Sequence, residues 1–169
     1  LALLALLAAA GHRGMSRDKA MAYLWPEADG ERARGLLKQA CYALRRDFHQ
    51  HELFLGTSAL RLNPGVISSD IQEFEDALGR GDLGRAVALY AGPFLDGFYL
   101  SGAGEFERWV GERRSQVTKR VADALEQLAN GATGHGDYRA SIDWWRRLTE
   151  LDPLSSRAAL GLMTALATA

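Results

Sequence analysis

The sequence predicts a mainly α-helical protein of two domains, with one short β-hairpin at the end of the first. Three observations lead to this fold class. Apolar residues recur at spacings of three and four along most of the chain, residues 53–62 alternate with a period of two, and residues 63–65 (Asn-Pro-Gly) form a strong turn signal. We therefore expect a domain of residues 1–66, followed by an all-helical domain of residues 67–169.

Composition and charge are those of an ordinary globular protein, with 47% hydrophobic and 24% charged residues. The net charge of −1 hides an asymmetry, because residues 1–65 hold nine Lys and Arg against six Asp and Glu, whereas residues 66–169 hold eleven against fifteen. Only the first part is expected to meet a polyanion. The single cysteine, Cys41, excludes an internal disulfide and a cysteine-rich zinc site, and it suits the reducing cytoplasm where we expect the protein.

Three helices are predicted before the hairpin. Leu1–Ala10 is wholly apolar and ends at Gly11, and we interpret it as a buried helix, since ten residues cannot span a bilayer and no basic segment precedes them. Ser16 caps a second helix, which Pro26 ends, and a third helix covers about residues 29–48. Three helices joined by short turns, the third rich in basic residues, are typical of a helix-turn-helix.

Two short runs of alternating residues follow the third helix. Residues 53–55 and 60–62 each place leucines on one face, and a turn over residues 56–59 joins them. A hairpin in this position occupies the place of the wing in a winged-helix domain. Its tip has no basic residue, so we expect only the hydroxyl groups of Thr57 and Ser58, or the backbone, to contact a phosphate.

The second domain is predicted to consist of helices at 70–79, 82–91, 104–130, 137–150 and 154–168. Residues 81–90 and 136–153 share the pattern Gly-Asp-(Tyr/Leu)-x-x-small-(Ile/Val)-x-x-aromatic, which resembles the second helix of a tetratricopeptide repeat (TPR). The two copies are 55 residues apart, more than the repeat length of about 34, so the array is irregular. The face expected to pack against residues 118–130 comprises Tyr138, Ile142, Trp145, Leu148 and Leu151.

The third helix carries the strongest functional signal. Its predicted buried stripe is made of apolar residues spaced three and four apart: Ala33, Leu37, Cys41, Leu44 and Phe48. The opposite face and its flanks hold the candidate DNA-binding residues Arg32, Arg34, Lys38, Gln39, Tyr42, Arg45 and Arg46, together with Gly35. Lys and Arg bind phosphates or guanine, Gln39 can bind adenine, and Gly35 permits a close backbone approach. Such a helix after a tight turn is suited to the major groove.

Other interpretations stay open at this point. Lys and Arg are also common on solvated helix faces, and Glu31 and Asp47 weaken the positive field. A helical-repeat adaptor that binds only proteins is therefore the alternative to a DNA-binding regulator. His49 and His51 lack an evident third ligand, and no catalytic set is present, so we expect no metal, no cofactor and no enzymatic activity.

Several segments, in their order along the chain, carry a family resemblance: residues 24–27 (Leu-Trp-Pro-Glu), 33–34 (Ala-Arg), 43–46 (Ala-Leu-Arg-Arg), 69–75, 90–98 and 105–110. The chain resembles regulators with a bacterial transcriptional activator domain, and it is similar to the antibiotic regulatory proteins of actinomycetes, whose winged helix is of the response-regulator type. This resemblance covers nearly the whole chain.

The resemblance implies roles for the segments. Residues 29–48 would be the recognition helix, 24–30 the loop before it, and 67–169 the activator domain. It also implies promoter DNA as a partner, RNA polymerase or another protein bound by the TPR-like domain, and a homodimer as one allowed arrangement. The strands that precede the first helix in such regulators are missing, and both ends fall within helical patterns, so we expect a fragment.

Overall fold

The computed structural model describes all residues 1–169 and is mainly α-helical, with a small three-stranded antiparallel sheet. The helices are α1 Ala2–Ala10, α2 Arg17–Leu24, α3 Gly30–Asp47, α4 Asp70–Gly79, α5 Leu83–Leu89, α6 Gly104–Gly134, α7 Tyr138–Leu151 and α8 Ser156–Thr168. The strands are β1 Met15–Ser16, β2 Phe54–Leu55 and β3 Ala59–Leu62. The predicted fold class is thus confirmed as mainly helical with a small sheet. None of the helices combines the length and the apolar character needed to cross a membrane.

Contacts divide the chain into two units. The first contains residues 1–73 and 94–112, and the second contains residues 74–93 and 113–169. Two of the three boundaries fall within helices: residues 73/74 lie in α4 and residues 112/113 lie in α6.

The sheet of the first unit contains the predicted hairpin and one strand that the sequence did not reveal. β3 lies in the middle, with Leu60 opposite Met15 of β1 and Leu62 opposite Phe54 of β2. β1 passes close to β3 because Gly14 has a φ of +67°, and a Cβ there would lie only 2.7 Å from the carbonyl oxygen of Leu60. The sheet therefore depends on a glycine immediately before its first strand.

Helix α2 begins after its predicted cap, Ser16, and α3 begins close to the predicted residue 29. The hydroxyl of Ser16 accepts a hydrogen bond from the backbone N–H of Lys19 at 3.2 Å, and the carboxylate of Asp29 accepts one from that of Arg32 at 2.8 Å. The side chains of Ala33, Leu37 and Cys41 are buried as predicted, and Leu44 is half-buried.

The expected burial of Phe48 is wrong, because 44% of its surface is exposed. Phe48 follows the last residue of α3, and the chain turns at the next residue, His49, which adopts a φ of +54°. The apolar stripe of α3 therefore ends one turn earlier than the spacing indicates.

Aromatic rings complete the first unit. The ring of Trp109 in α6 lies 5.9 Å from that of Tyr23 in α2, 5.7 Å from that of Phe94 and 5.5 Å from that of Phe106. Phe98 meets Phe106 edge to face, with 6.1 Å between the ring centroids. The first turns of α6 therefore pack with α2.

In the second unit, α7 and α8 pack closely against each other. Trp145 of α7 is 5% exposed, and a Cβ built on Gly161 of α8 would lie 2.6 Å from its indole ring, so only glycine fits there. The predicted burial of Trp145 and Leu148 is confirmed, whereas Tyr138, Ile142 and Leu151 are half-buried. The sequence predicts a helix at 154–168 but names residues 118–130 as the partner of this face, so the packing of α7 against α8 is a finding of the structure.

Candidate nucleic-acid interface

The exposed face of α3 is the first part of the candidate interface. Because the stripe at Ala33, Leu37 and Cys41 points into the core, the opposite side of the helix faces solvent. The exposed members of the predicted set are Arg32, Arg34, Lys38, Gln39, Tyr42 and Arg46, together with Gly35. Tyr42 has 69% of its surface in solvent. The helix thus presents donors, acceptors and one ring on a single surface.

Arg34, Lys38 and Arg45 lie along one flank of this face. They line a cleft of about 380 Å³ that also contacts α2 and β3, and whose lining includes Asp18 and Cys41. The side chains of Arg34 and Lys38 have neither a hydrogen bond nor an ion pair within the chain. This flank therefore carries positive charge that no ion pair neutralises.

Arg17 belongs to the candidate site, although its position in the sequence does not indicate a role. It is the first residue of α2 and lines the same cleft. Its Nε donates a hydrogen bond to the carbonyl of Thr57 at 3.1 Å, and its Nη2 donates to that of Gly56 at 3.5 Å. Arg17 thereby supplies the basic group that the wing itself lacks.

The wing tip also belongs to the candidate interface. Thr57 and Ser58 are both exposed at the turn between β2 and β3. Since Arg17 binds the Thr57 carbonyl, the structure brings the wing tip, the start of α2 and the cleft together. The hydroxyl groups of the tip take part in no hydrogen bond with the protein, so both can reach a ligand.

Arg45 and Arg46 differ from the other predicted cations. The guanidinium carbon of Arg45 lies 5.4 Å from the centroid of the Phe54 ring, and its Nε is buried without a hydrogen-bond partner. Arg46 donates to the Asp47 carboxylate at 2.8 and 3.0 Å. The hydrogen bond to Asp47, followed by the charge of that group, raises the pKa of the Arg46 guanidinium. Asp47 thus offsets the charge of Arg46, whereas Arg45 keeps its own.

Cys41 lies behind the cationic flank. Burial raises the pKa of its thiol, and the charges of Arg45 and Arg17 oppose this shift without cancelling it. The thiol is therefore neutral at physiological pH and behaves as a small apolar group. His49 and His51 are exposed at the end of α3, and no group of three or more His, Cys, Asp or Glu side chains is placed to hold a metal ion.

Comparison with known proteins concerns mostly the second half of the chain. A family model described as the bacterial transcriptional activator domain matches residues 79–169, which are 91 of the 169 residues. A search of curated proteins finds no match. The matched segment contains α5, α6, α7 and α8, and it begins after the candidate interface.

Proposed function

Because the chain belongs to the family of the bacterial transcriptional activator domain, we propose that the protein is a DNA-binding transcription regulator, and specifically an activator. The family consists of transcription regulatory domains that are not catalytic. In this proposal residues 1–66 are a winged helix of the response-regulator type, as in actinomycete regulators, and residues 67–169 are a TPR-like activator domain. The protein acts in the cytoplasm, where promoter DNA is accessible.

The observation that carries the proposal is the exposed face of α3. An 18-residue helix is about 27 Å long, and a helix of ordinary diameter fits a major groove about 12 Å wide. The N-terminus of α3 is capped by Asp29, and the inner side of the helix is buried. The outer side holds Lys38, Gln39 and Tyr42, whose side chains have no hydrogen bond within the chain. Tyr42, which is 69% exposed, adds an aromatic ring to this outer side.

Within this proposal the residues divide by chemistry. Gln39 reads an adenine edge through paired hydrogen bonds, and Tyr42 offers its ring to a thymine methyl group or a sugar. Arg32 and Arg46 lie at the two ends of the face, where they contact phosphates or guanine. Thr57 and Ser58 donate hydroxyl hydrogen bonds to phosphates from the wing.

The helical domain supplies protein contacts in this proposal, either with RNA polymerase or another protein of the transcription machinery or with a second copy of the chain. Support comes from α8, where three apolar side chains lie mostly in solvent: Leu160 is 66%, Met163 is 67% and Leu166 is 51% exposed.

Selection from a random duplex library tests the DNA-binding proposal. We expect one enriched sequence, which the protein binds at least about 10³-fold more tightly than a scrambled duplex at physiological salt. Gln39→Ala should cost about 1–3 kcal/mol on the enriched sequence and almost nothing on the scrambled one. Gln127→Ala, the same change on the exposed surface of α6, is the matched control.

The adaptor hypothesis makes the opposite prediction. A protein that binds only other proteins enriches no DNA sequence, and Gln39→Ala then behaves like Gln127→Ala on every duplex. That result would replace the DNA-binding proposal with a helical-repeat adaptor that acts through the apolar surface of α8.

A further inference from the structure

We propose that the cleft between α2, α3 and β3 binds a phosphate group, through Arg17, Arg34, Lys38 and Arg45, and that this group is a backbone phosphate of bound DNA. The proposal rests on the proposed function and deepens it. It assigns the cleft flank of α3 to the DNA backbone and leaves the face with Gln39 and Tyr42 for bases. It also adds Arg17, which lies outside the recognition helix.

The charge of the cleft is the first argument. Its lining contains four cations and one carboxylate, Asp18, which gives a formal net charge of +3. Cys41 adds no negative charge, because burial keeps its thiol protonated. Positive charge concentrated in a concave, partly apolar surface raises the local concentration of anions. An anion is therefore the ligand that this cleft favours.

The position of Arg17 is the second argument. Its hydrogen bonds to the carbonyls of Thr57, at 3.1 Å, and Gly56, at 3.5 Å, place the guanidinium next to the wing. Other N–H groups of the same guanidinium have no acceptor in the chain, and a planar fork of such donors matches the oxygens of a phosphate. Arg17 is thus held in place by the wing and still has donors to offer.

Arg45 supplies the third argument. Its guanidinium stacks on the Phe54 ring, 5.4 Å from the ring centroid, and lines the cleft, yet its Nε has no acceptor. A buried N–H without an acceptor is rare in proteins. A phosphate in the cleft would supply negative charge at a cation that the protein has already oriented.

The salt dependence of DNA binding tests the cleft directly. We expect Arg17→Gln to lower the slope of log K against log salt by about one unit, and to weaken the enriched and scrambled duplexes by the same factor. Arg13→Gln removes the same charge from an exposed arginine of the first unit outside the cleft and should leave the slope unchanged.

Arg17→Lys separates the charge from the hydrogen bonds to the wing. The lysine keeps the charge, so its salt slope should stay close to that of the unmodified protein. A loss of slope with Arg17→Lys equal to that with Arg17→Gln would overturn the proposal and make Arg17 only a support of the wing. A slope that Arg17→Gln leaves unchanged would overturn the assignment of the cleft to a DNA phosphate.

A second measurement without DNA distinguishes the sources of phosphate. The Tm of the protein is compared in inorganic phosphate and in chloride at equal ionic strength, for the unmodified protein, Arg17→Gln and Arg13→Gln. If phosphate raises the Tm of the unmodified protein and of Arg13→Gln but not of Arg17→Gln, the cleft is a phosphate site, even if the protein selects no DNA sequence. The same increase without an effect on the salt slope assigns the cleft to free phosphate instead of DNA. A changed slope without an increase in Tm supports the DNA phosphate, and a change in neither overturns the proposal.

Discussion

Arginines and aromatic rings occur in two regions of the molecule with opposite surroundings. In the second unit, the guanidinium of Arg113 lies 2.9 Å from the carboxylate of Glu75, which also binds Arg120, and Trp145 is only 5% exposed. On α3, Arg34 has no partner and Tyr42 is 69% exposed. The first set interacts within the fold, whereas the second set has no partner in the chain and is accessible to solvent. Substitutions should therefore affect folding in one region and binding in the other.

The largest effect is expected from Trp145→Ala. Removing a buried indole that fits against Gly161 leaves a cavity between α7 and α8, and we expect the free energy of unfolding to fall by about 3–5 kcal/mol. Urea denaturation followed by circular dichroism measures it. Trp144→Ala is the control, because Trp144 is half-buried beside Arg147 and should cost clearly less. Equal losses for both would mean that burial does not distinguish these positions.

Glu75→Gln should give the next largest effect. The substitution removes the counter-charge of Arg113, whose side chain is 15% exposed and whose Nε already lacks an acceptor. We expect a loss of about 2–4 kcal/mol, somewhat below the value for a fully buried pair, because Glu75 and Arg120 are partly solvated.

An exposed ion pair provides the reference for Glu75. Asp143→Asn breaks the pair with Arg146, whose side chains are 62% and 58% exposed, and should change the unfolding free energy by about 0–1 kcal/mol. If Glu75→Gln had as small an effect as Asp143→Asn, the paired arginines would not contribute to folding, and the contrast between the two regions would fail.

Lys38→Ala tests the other side of the comparison. Lys38 has no partner to lose, so the unfolding free energy should stay within about 0.5 kcal/mol of that of the unmodified protein. In contrast, the salt slope of DNA binding should fall by about one unit. A loss of stability with no change in DNA binding would place Lys38 among the structural cations.

Local sequence patterns predicted the helices well, but they did not predict the long-range contacts between elements. The Ser16 cap of α2, the start of α3 near residue 29 and the buried stripe at Ala33, Leu37 and Cys41 depend on neighbours within a few residues, and the structure has them as expected. β1 has only two residues, which is too short for any periodicity. The contact between Arg17 and Thr57 joins residues 40 positions apart, and nothing local in either segment indicates it.

The smallest predicted effect concerns Cys41, whose side chain is buried in the core and also lies near the cations of the cleft. Burial raises the pKa of the thiol above its ordinary value of 9.0, against the opposing charges of Arg45 and Arg17. Well below pH 9 the thiol is protonated in both the folded and the unfolded chain, so its contribution to stability is complete. As the pH rises further, the unfolded chain releases the proton first, and stability must fall until the folded thiol also ionises. The rate of alkylation by iodoacetamide against pH should therefore rise at a higher pH for the folded protein than for the protein in urea, and Cys41→Ala should flatten the decline in stability above pH 9. If the alkylation rate of the folded protein rose at a lower pH than that of the unfolded chain, the charges of Arg45 and Arg17 would outweigh burial. The thiol would then ionise as an accessible group next to the cations of the cleft.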